Sequence, residues 1–419
     1  SSTADDQGWM TSVELSNEVV SLGDPINISG LGMRPGMDGK STDLSVDISE
    51  DPKVHNWVIF PGGITFDDIE ITEIMLGQGN DTFNIDATSA GTPGAGDYVV
   101  TLVHGGGNSY LTDQDGKYID EEGNLTDVPV IGGDTIIVTG GGGADSPLVI
   151  YGDTAQDGRR YDSRPDLNIF NGNAVTFAHS GNDVIDASAI SQAVTIYGGA
   201  GNDTIQGSQA GDHLAGGSGD DLIYGNGGND QIYGDSGFNL AFDVRKNAED
   251  EAVVERLLTV VTANESAVLT SDGLVAGEDE IYGGAGDDVI FGDMGVVDQS
   301  SLKLLSTGNV TEIRSEQFGN GEADYIEGGS DNDVILGGNK GDEIHAGEGN
   351  NIVLGDEGWI KYNADGNLAD IDLIESLSTT LYGGVDTINS GDGDDIIIGG
   401  RFGDTINARN GDNIVFGDS

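Results

Sequence analysis

No cysteine occurs among the 419 residues of this chain, so disulfide staples, thiolate nucleophiles and cysteine-held zinc or iron–sulfur centres are excluded together. Basic residues are scarce as well: 16 Lys and Arg face 74 acids, 53 Asp and 21 Glu, for a formal charge of −58. A polyanion of that density repels both nucleic-acid phosphates and anionic lipid surfaces, which removes them as partners. No apolar run approaches the roughly 18 residues of a membrane span, and Ser1 to Gln7 lack the basic and apolar parts of a signal peptide. These absences predict a soluble chain with no direct membrane insertion. A start at Ser1 in place of Met predicts a chain processed or excised from something larger.

What the chain has instead is glycine, 70 residues of it, and 36% apolar residues. Low hydrophobicity with high charge favours disorder unless the apolar residues fall at regular positions. They do. From Gly198 to Tyr233 a nine-residue period reads GGAGNDTIQ, GSQAGDHLA, GGSGDDLIY, GNGGNDQIY. Position six is always Asp (Asp203, Asp212, Asp221, Asp230) and position eight always aliphatic (Ile205, Leu214, Ile223, Ile232). The frame returns at Asp279 and Asp288, at Asp324, Asp333 and Asp342, and at Asp386, Asp395 and Asp404, each followed two residues later by Ile. Weaker copies contain Asp81 (Gly77 to Ile85) and Asp183 (Ser180 to Ile185), and Gly132 to Ile136 is a degenerate one.

A glycine-rich hexad suits turns that need positive φ, and the following triplet with an aliphatic centre makes a short strand whose middle side chain points inward. If two nonapeptides complete one coil, Asp203 sits over Asp221 and Asp212 over Asp230, about 4.8 Å apart. At that separation each carboxylate pair repels by roughly 3 kcal/mol at an effective dielectric near 20. A ladder of such pairs rivals the whole stability of a domain, so a cation must lie between the carboxylates. Carboxylate and carbonyl oxygens are hard donors that suit Ca²⁺ with its flexible coordination better than Mg²⁺, which demands near-octahedral geometry.

These repeats resemble the RTX (repeat-in-toxin) nonapeptide GGxGxDxUx; GGAGNDTIQ, GGSGDDLIY and GGAGDDVIF agree at every fixed position, and the match runs in blocks from about Ala178 to Ser419. The resemblance implies an all-β, right-handed parallel β-roll or β-solenoid that binds several Ca²⁺ ions between successive turns. It also implies secretion to the extracellular space or cell surface, with folding triggered by calcium. Carried over residue by residue, the ligands it implies are Asp81, Asp183, Asp203, Asp212, Asp221, Asp230, Asp279, Asp288, Asp324, Asp333, Asp342, Asp386, Asp395 and Asp404. Asn351 and Asn413 stand at position six in their copies and are doubtful ligands. A dozen turns sharing donors give on the order of ten sites.

A longer period overlies the short one. Blocks end in an apolar pair followed by Gly-Asp, at Asp153, Asp235, Asp293 and Asp356, and the frame resumes 30, 44, 31 and 30 residues later. Such constancy predicts structured hairpin excursions at regular spacing. Their turn signals are Gln156-Asp157-Gly158, Ser271-Asp272-Gly273 and Ala364-Asp365-Gly366, with strand alternation at Trp359 to Tyr362. Within the longest, Val253, Leu257, Val260 and Val261 share one helical face, so a short helix over Ala248 to Val261 is an alternative. The organisation expected is an irregular strand-rich solenoid start over 1–150, including Trp57 to Phe60 and the alternating Ile69 to Thr72. A first repeat block with its excursion follows over 151–235, then a second excursion and short block over 236–293, and super-repeats over 294–356 and 357–419.

No HExxH and no GxSxG occurs. His213 and His345 occupy repeat positions that do not point inward and are expected at the surface, while His55, His104 and His179 stand alone. Paired carboxylates abound, but a glycosidase pair needs two unlike environments and a repeated array supplies one. Asp113 to Gly116 resembles part of an EF-hand loop, yet Leu111 holds the first ligand position, so a hairpin turn is expected. Acids that merely keep a surface hydrated would be scattered, whereas here Asp is locked to one position. The 26 aromatic residues show no regular exposed stripe and the sequence no flat Thr array, which disfavours a glycan- or ice-binding surface module. The remaining readings are a non-enzymatic calcium-rigidified segment of a surface layer, adhesin stalk or extracellular filament, and the carboxy-terminal secretion module of an RTX hydrolase. The first carries the expectation of self-association, or of contact with neighbouring domains of the same large protein, because an open solenoid end invites stacking.

Overall fold

The computed structural model describes residues 7–12, 26–30, 44–47, 57–60, 64–66, 71–76, 80–89, 99–106, 118–119, 125–126, 133–143, 146–153, 181–236, 238–246, 252–262, 275–299, 310–362, 370–378 and 382–418. His55, His179, the EF-like stretch Asp113 to Gly116 and the three excursion turns named above lie outside them. Among the described residues every regular element is a strand, and no helix is long and apolar enough to cross a membrane.

Each coil contributes one strand to each of two parallel sheets. The front sheet pairs continuously from Thr82–Ile85 to Thr405–Asn407 and the back sheet from Ile71–Met75 to Ile414–Asp418. The chain is thus a parallel β-roll, as the nine-residue period predicts. Register survives the excursions: Leu222 lies beside Glu280 and Gln231 beside Val289, as if the intervening chain were excised. Position-eight side chains point inward from both sheets, and Ile205, Ile223, Ile281, Ile326, Leu214, Ile232, Ile290 and Ile335 are all fully buried in one core. At the other end the ladder changes character. Gln7–Ser12 pairs parallel with Thr82–Ile85 but antiparallel with Ile26–Gly30, which in turn pairs antiparallel with Ile64–Phe66. Trp57–Phe60 forms a strand, paired with Leu44–Asp47.

All four excursions leave at the same edge of the roll, between the end of a back-sheet strand and the start of a front-sheet strand. Two of them fold into one four-stranded antiparallel sheet in the order Gly295–Gln299, Val310–Ser315, Gly358–Lys361, Leu373–Ser376. This third layer covers the outer face of the back sheet: its Ile313 and Ile360 share a second apolar cluster with Phe291, Leu336 and Leu354. The spacing explains the pairing. These two excursions start from coils two apart, so each two-stranded hairpin fills the width of about two strand spacings, roughly 10 Å, and meets the next edge to edge. The hairpin Phe238–Lys246 with Ala252–Thr262 starts only one coil before its successor and, among the described residues, pairs only with itself. It occupies the segment where a helix was the alternative. Val253, Val254, Thr259, Val260 and Val261 are β-branched residues that favour a pleated strand, and a paired partner strand decides the matter.

Two further expectations are corrected. His213 is buried, 3% exposed, because outward-facing positions of the back sheet lie in a covered layer; His345, on the front sheet, is partly exposed beside Glu343. An aromatic row does exist on the front sheet: Tyr224, Tyr282, Tyr325 and His345 follow one another at centroid separations of 4.9, 5.9 and 5.5 Å, the last two pairs tilted by 52° and 44°. It is invisible in sequence because excursions separate the members. Tyr224 and Tyr282 lie nearly coplanar-stacked, 10° apart, so their faces meet each other and no flat platform is presented to a sugar.

Candidate metal centre

The position-six aspartates line the two edges of the roll. Along the front edge each backbone amide donates to Oδ1 of the aspartate one coil on. The chain of bonds runs Asp81, Asp134, Asp183, Asp203, Asp221, Asp279, Asp324, Asp342, Asp386, Asp404, with distances of 2.6 to 3.0 Å. The opposite edge runs Asp212, Asp230, Asp288, Asp333, Asn351, Asp395, Asn413 in the same manner. The stacking of Asp203 on Asp221 and Asp212 on Asp230 is as the eighteen-residue coil requires. Every position-six Asp except Asp404 is at most 3% exposed.

These bonds occupy Oδ1 and the main chain and leave Oδ2. Oδ2 of Asp183, Asp203, Asp221, Asp230, Asp279, Asp288, Asp324, Asp333, Asp342 and Asp386 is buried without a hydrogen-bond partner. Its surroundings are oxygen. A β-carbon at Gly198 would collide with Asp203 Oδ2 and the Gly216 carbonyl oxygen, and one at Gly355 with Asp386 Oδ2 and the Gly399 carbonyl oxygen; the opposite edge repeats the pattern at Gly225 with Asp230 and the Gly283 carbonyl. Each cradle therefore gathers a carboxylate from one coil and a carbonyl from the next, at a glycine that must lack a side chain.

Asn351 shows what that cradle demands. Its Nδ2 donates to the carbonyl oxygens of Gly347 and Ser390, at 3.3 and 3.2 Å. Asn413 does likewise toward Ala408. Where Asn brings a donor to the carbonyls, Asp brings a second acceptor, and oxygen facing oxygen needs a cation between. Two of the expected ligands differ from the rest. Asp212 accepts from the Ser208 amide and hydroxyl, and Asp395 accepts from the Ser390 hydroxyl, because Ser replaces Gly in their turns. Among the described residues no three of His, Asp and Glu converge on one point, so carbonyls must complete any coordination shell. The oxygen-only donor set fits Ca²⁺.

Electrostatics agree. Burial, followed by neighbouring carboxylates, pushes Asp230 up to about 9. Burial pushes Asp183, Asp212 and Asp288 up to about 7 and Asp279, Asp333 and Asp386 up to about 8. Asp203, Asp221, Asp324 and Asp342 are raised well above the ordinary range for the same reasons. A carboxylate in such a place holds either a proton or a metal ion.

Sequence reasoning passed over two sets of residues. Asp134 completes the front ladder between Asp81 and Asp183; its copy is short, but Gly-Gly-Asp-Thr-Ile already shows the frame. The aspartates at which the frame is lost are the second set. Asp153 Oδ1 accepts from the Gly181 amide, Asp235 Oδ1 from Gly277, Asp293 Oδ1 from Glu322 and Asp356 Oδ1 from Gly384. Each of those amides is at position four of the turn that resumes the roll. Oδ2 of Asp153, Asp293 and Asp356 accepts in addition from Ala200, Asn339 and Arg401, at position three of the following coil. An Asp at position two, where Gly is the rule, thus staples the foot of each excursion. Replacing Asp356 by Ala leaves the Gly384 and Arg401 amides without their acceptor. With calcium saturating, urea unfolding should show a loss of about 2 to 4 kcal/mol, and Asp356→Asn a smaller one; equal stability of all three proteins would refute the staple.

The family model of the RTX calcium-binding nonapeptide repeat, four copies long, matches residues 192–209, 206–241, 276–296, 327–358, 382–406 and 389–419. The gaps between its matches fall on the later three excursions, and the coils before residue 192 lie outside it. Neither the curated proteins nor the solved structures yield a match to the chain. The C-terminal half of the chain thus carries RTX calcium-binding nonapeptide repeats.

Proposed function

We propose that the chain is a calcium-rigidified structural segment of a secreted or cell-surface protein, of the surface-layer, adhesin-stalk or filament kind, and that it is not an enzyme. The observation that carries this reading is the continuity of the front ladder from Asp81 to Asp404 through four excursions. Every coil offers a similar oxygen cradle, and no described position is singled out by a nucleophile or a carboxylate pair in two unlike environments. Filling the cradles turns a stack of weak coils into a stiff rod, which is what a stalk or lattice subunit needs. The fourteen aspartates named from the sequence, with Asp134 added, are the proposed ligands, and the count of cradles supports on the order of ten ions.

Self-association, or contact with a neighbouring domain of the same protein, is part of the proposal. The strand Ile414–Asp418 pairs on one side only, with Ile396–Gly400, and Ile414, Val415 and Phe416 are 52%, 44% and 57% exposed. A further coil of the same kind fits that edge. Sedimentation and negative-stain microscopy of the full chain should give calcium-dependent rods that associate in millimolar calcium and disperse in chelator. Monomers alone in millimolar calcium would remove the self-association, and turnover of an ester, peptide or glycoside substrate would remove the non-enzymatic reading.

A further inference from the structure

We propose that the foot of the excursion sheet holds a divalent-cation site outside the nonapeptide frame, centred on Glu357. Glu357 follows the exit aspartate Asp356 and is 2% exposed, and both of its carboxylate oxygens are buried with no hydrogen-bond partner beyond its own backbone amide. It lines a narrow crevice between the roll and the covering sheet, where Asp293, Glu316 and Gln317 stand beside the apolar side chains of Phe291, Met294 and Leu336. Since no three acids converge on one point here, a shell around Glu357 would draw on the side-chain amide and on neighbouring carbonyl oxygens.

Among the described residues, neighbouring groups do not neutralise Glu357. Asp293 turns its oxygens to the Glu322 and Asn339 amides. Arg314, on the covering sheet, engages Asp298, Glu312 and Glu316. Lys340 lies 4.0 Å from Glu322. A buried carboxylate with no counter-ion and no donor beyond its own amide is costly, and hard oxygen donors select Ca²⁺ among common cations. The position has a mechanical consequence. Gly358 begins the strand that pairs with Val310–Ser315, and its amide donates to Ser315 Oγ. A cation at Glu357 would tie the covering sheet to the roll at the point where two excursions meet.

Trp359, two residues away and one of three tryptophans in the chain, supplies a probe. Terbium, a luminescent stand-in for Ca²⁺, should show tryptophan-sensitised emission in the full chain, and Glu357→Gln should weaken the emitting site at least about tenfold while lowering the calorimetric ion count by one. Trp359→Phe should abolish that emission and leave the count unchanged. An ion count and emission in Glu357→Gln equal to those of the parent would overturn the proposal, and Glu357 would then be a buried protonated acid. Failure of the ladder reading is distinguishable, since the parent chain itself would then bind at most one ion.

Discussion

Chelating calcium at neutral pH should abolish the far-ultraviolet β-sheet signal of this chain, and restoring millimolar calcium should bring it back. The reason lies in the ten buried Oδ2 atoms that face carbonyl oxygen with no donor. For Asp212, whose Oδ1 and Oδ2 are both hydrogen-bonded, burial still pushes the carboxyl from 3.8 up to about 7, which is on the order of 4 kcal/mol for holding the charged form there. Asp183 and Asp279, with Oδ2 unmatched, are driven to about 7 and 8. Ten such sites far exceed the ~5 to 15 kcal/mol that stabilises a domain. The charged, ion-free roll is therefore unstable, and Ca²⁺ binding supplies its folding free energy, as metals do in small metal-dependent domains. Circular dichroism during a calcium titration checks this. A sheet that stays intact after exhaustive metal stripping at low ionic strength would sink it.

Acidification should rescue the stripped chain. In the unfolded chain the aspartates ionise near 3.8, and in the ion-free roll at about 7 to 9. The ion-free fold binds more protons than the unfolded chain across that interval, so its stability is fully present below 3.8 and is lost as pH rises through 7 to 9. In chelator, the β signal should thus be regained as pH falls toward 5. With calcium present the dependence reverses, because the ion competes with those protons: affinity should rise with pH up to about 9, and each binding event near neutrality should release protons. Calorimetry in buffers of different ionisation enthalpy counts them. Binding without proton release between pH 6 and 8 would show that the cradles are already ionised, contrary to the burial seen here.

The two effects differ in how early they were legible. Asp203 above Asp221, and Ile205 above Ile223, follow from an eighteen-residue coil, and both pairs stand side by side in the sheet. The same reasoning extends over the excursions, since Asp221 bonds to Asp279 as it would to an immediate neighbour. The staples were visible only as punctuation: Gly-Asp after an apolar pair marks where the frame breaks, but not that the carboxylate turns inward to accept amides from the returning chain. His213 and His345 both occupy outward repeat positions but not one environment, which the period alone does not distinguish. Outward positions of the back sheet, such as Tyr197, Ala215, Tyr233, Phe291 and Leu336, are apolar and buried, whereas Glu280, Glu327 and Glu343 occupy outward positions of the front sheet. That asymmetry is written in alternate repeats, and it acquires meaning once a covering layer is known.

By its own sequence this protein is committed to the coil, its register, its row of inward aliphatics and its two aspartate ladders. These depend on a nine-residue period, in which each residue's environment is set by neighbours nine and eighteen positions away. Tertiary structure alone decides which outer face is covered, which excursions join into one sheet, and where Glu357 and Asp293 come together. Those contacts join segments tens of residues apart, such as Val310–Ser315 with Gly358–Lys361, and their geometry is set by how many coils lie between two excursions, a quantity that only the folded roll measures.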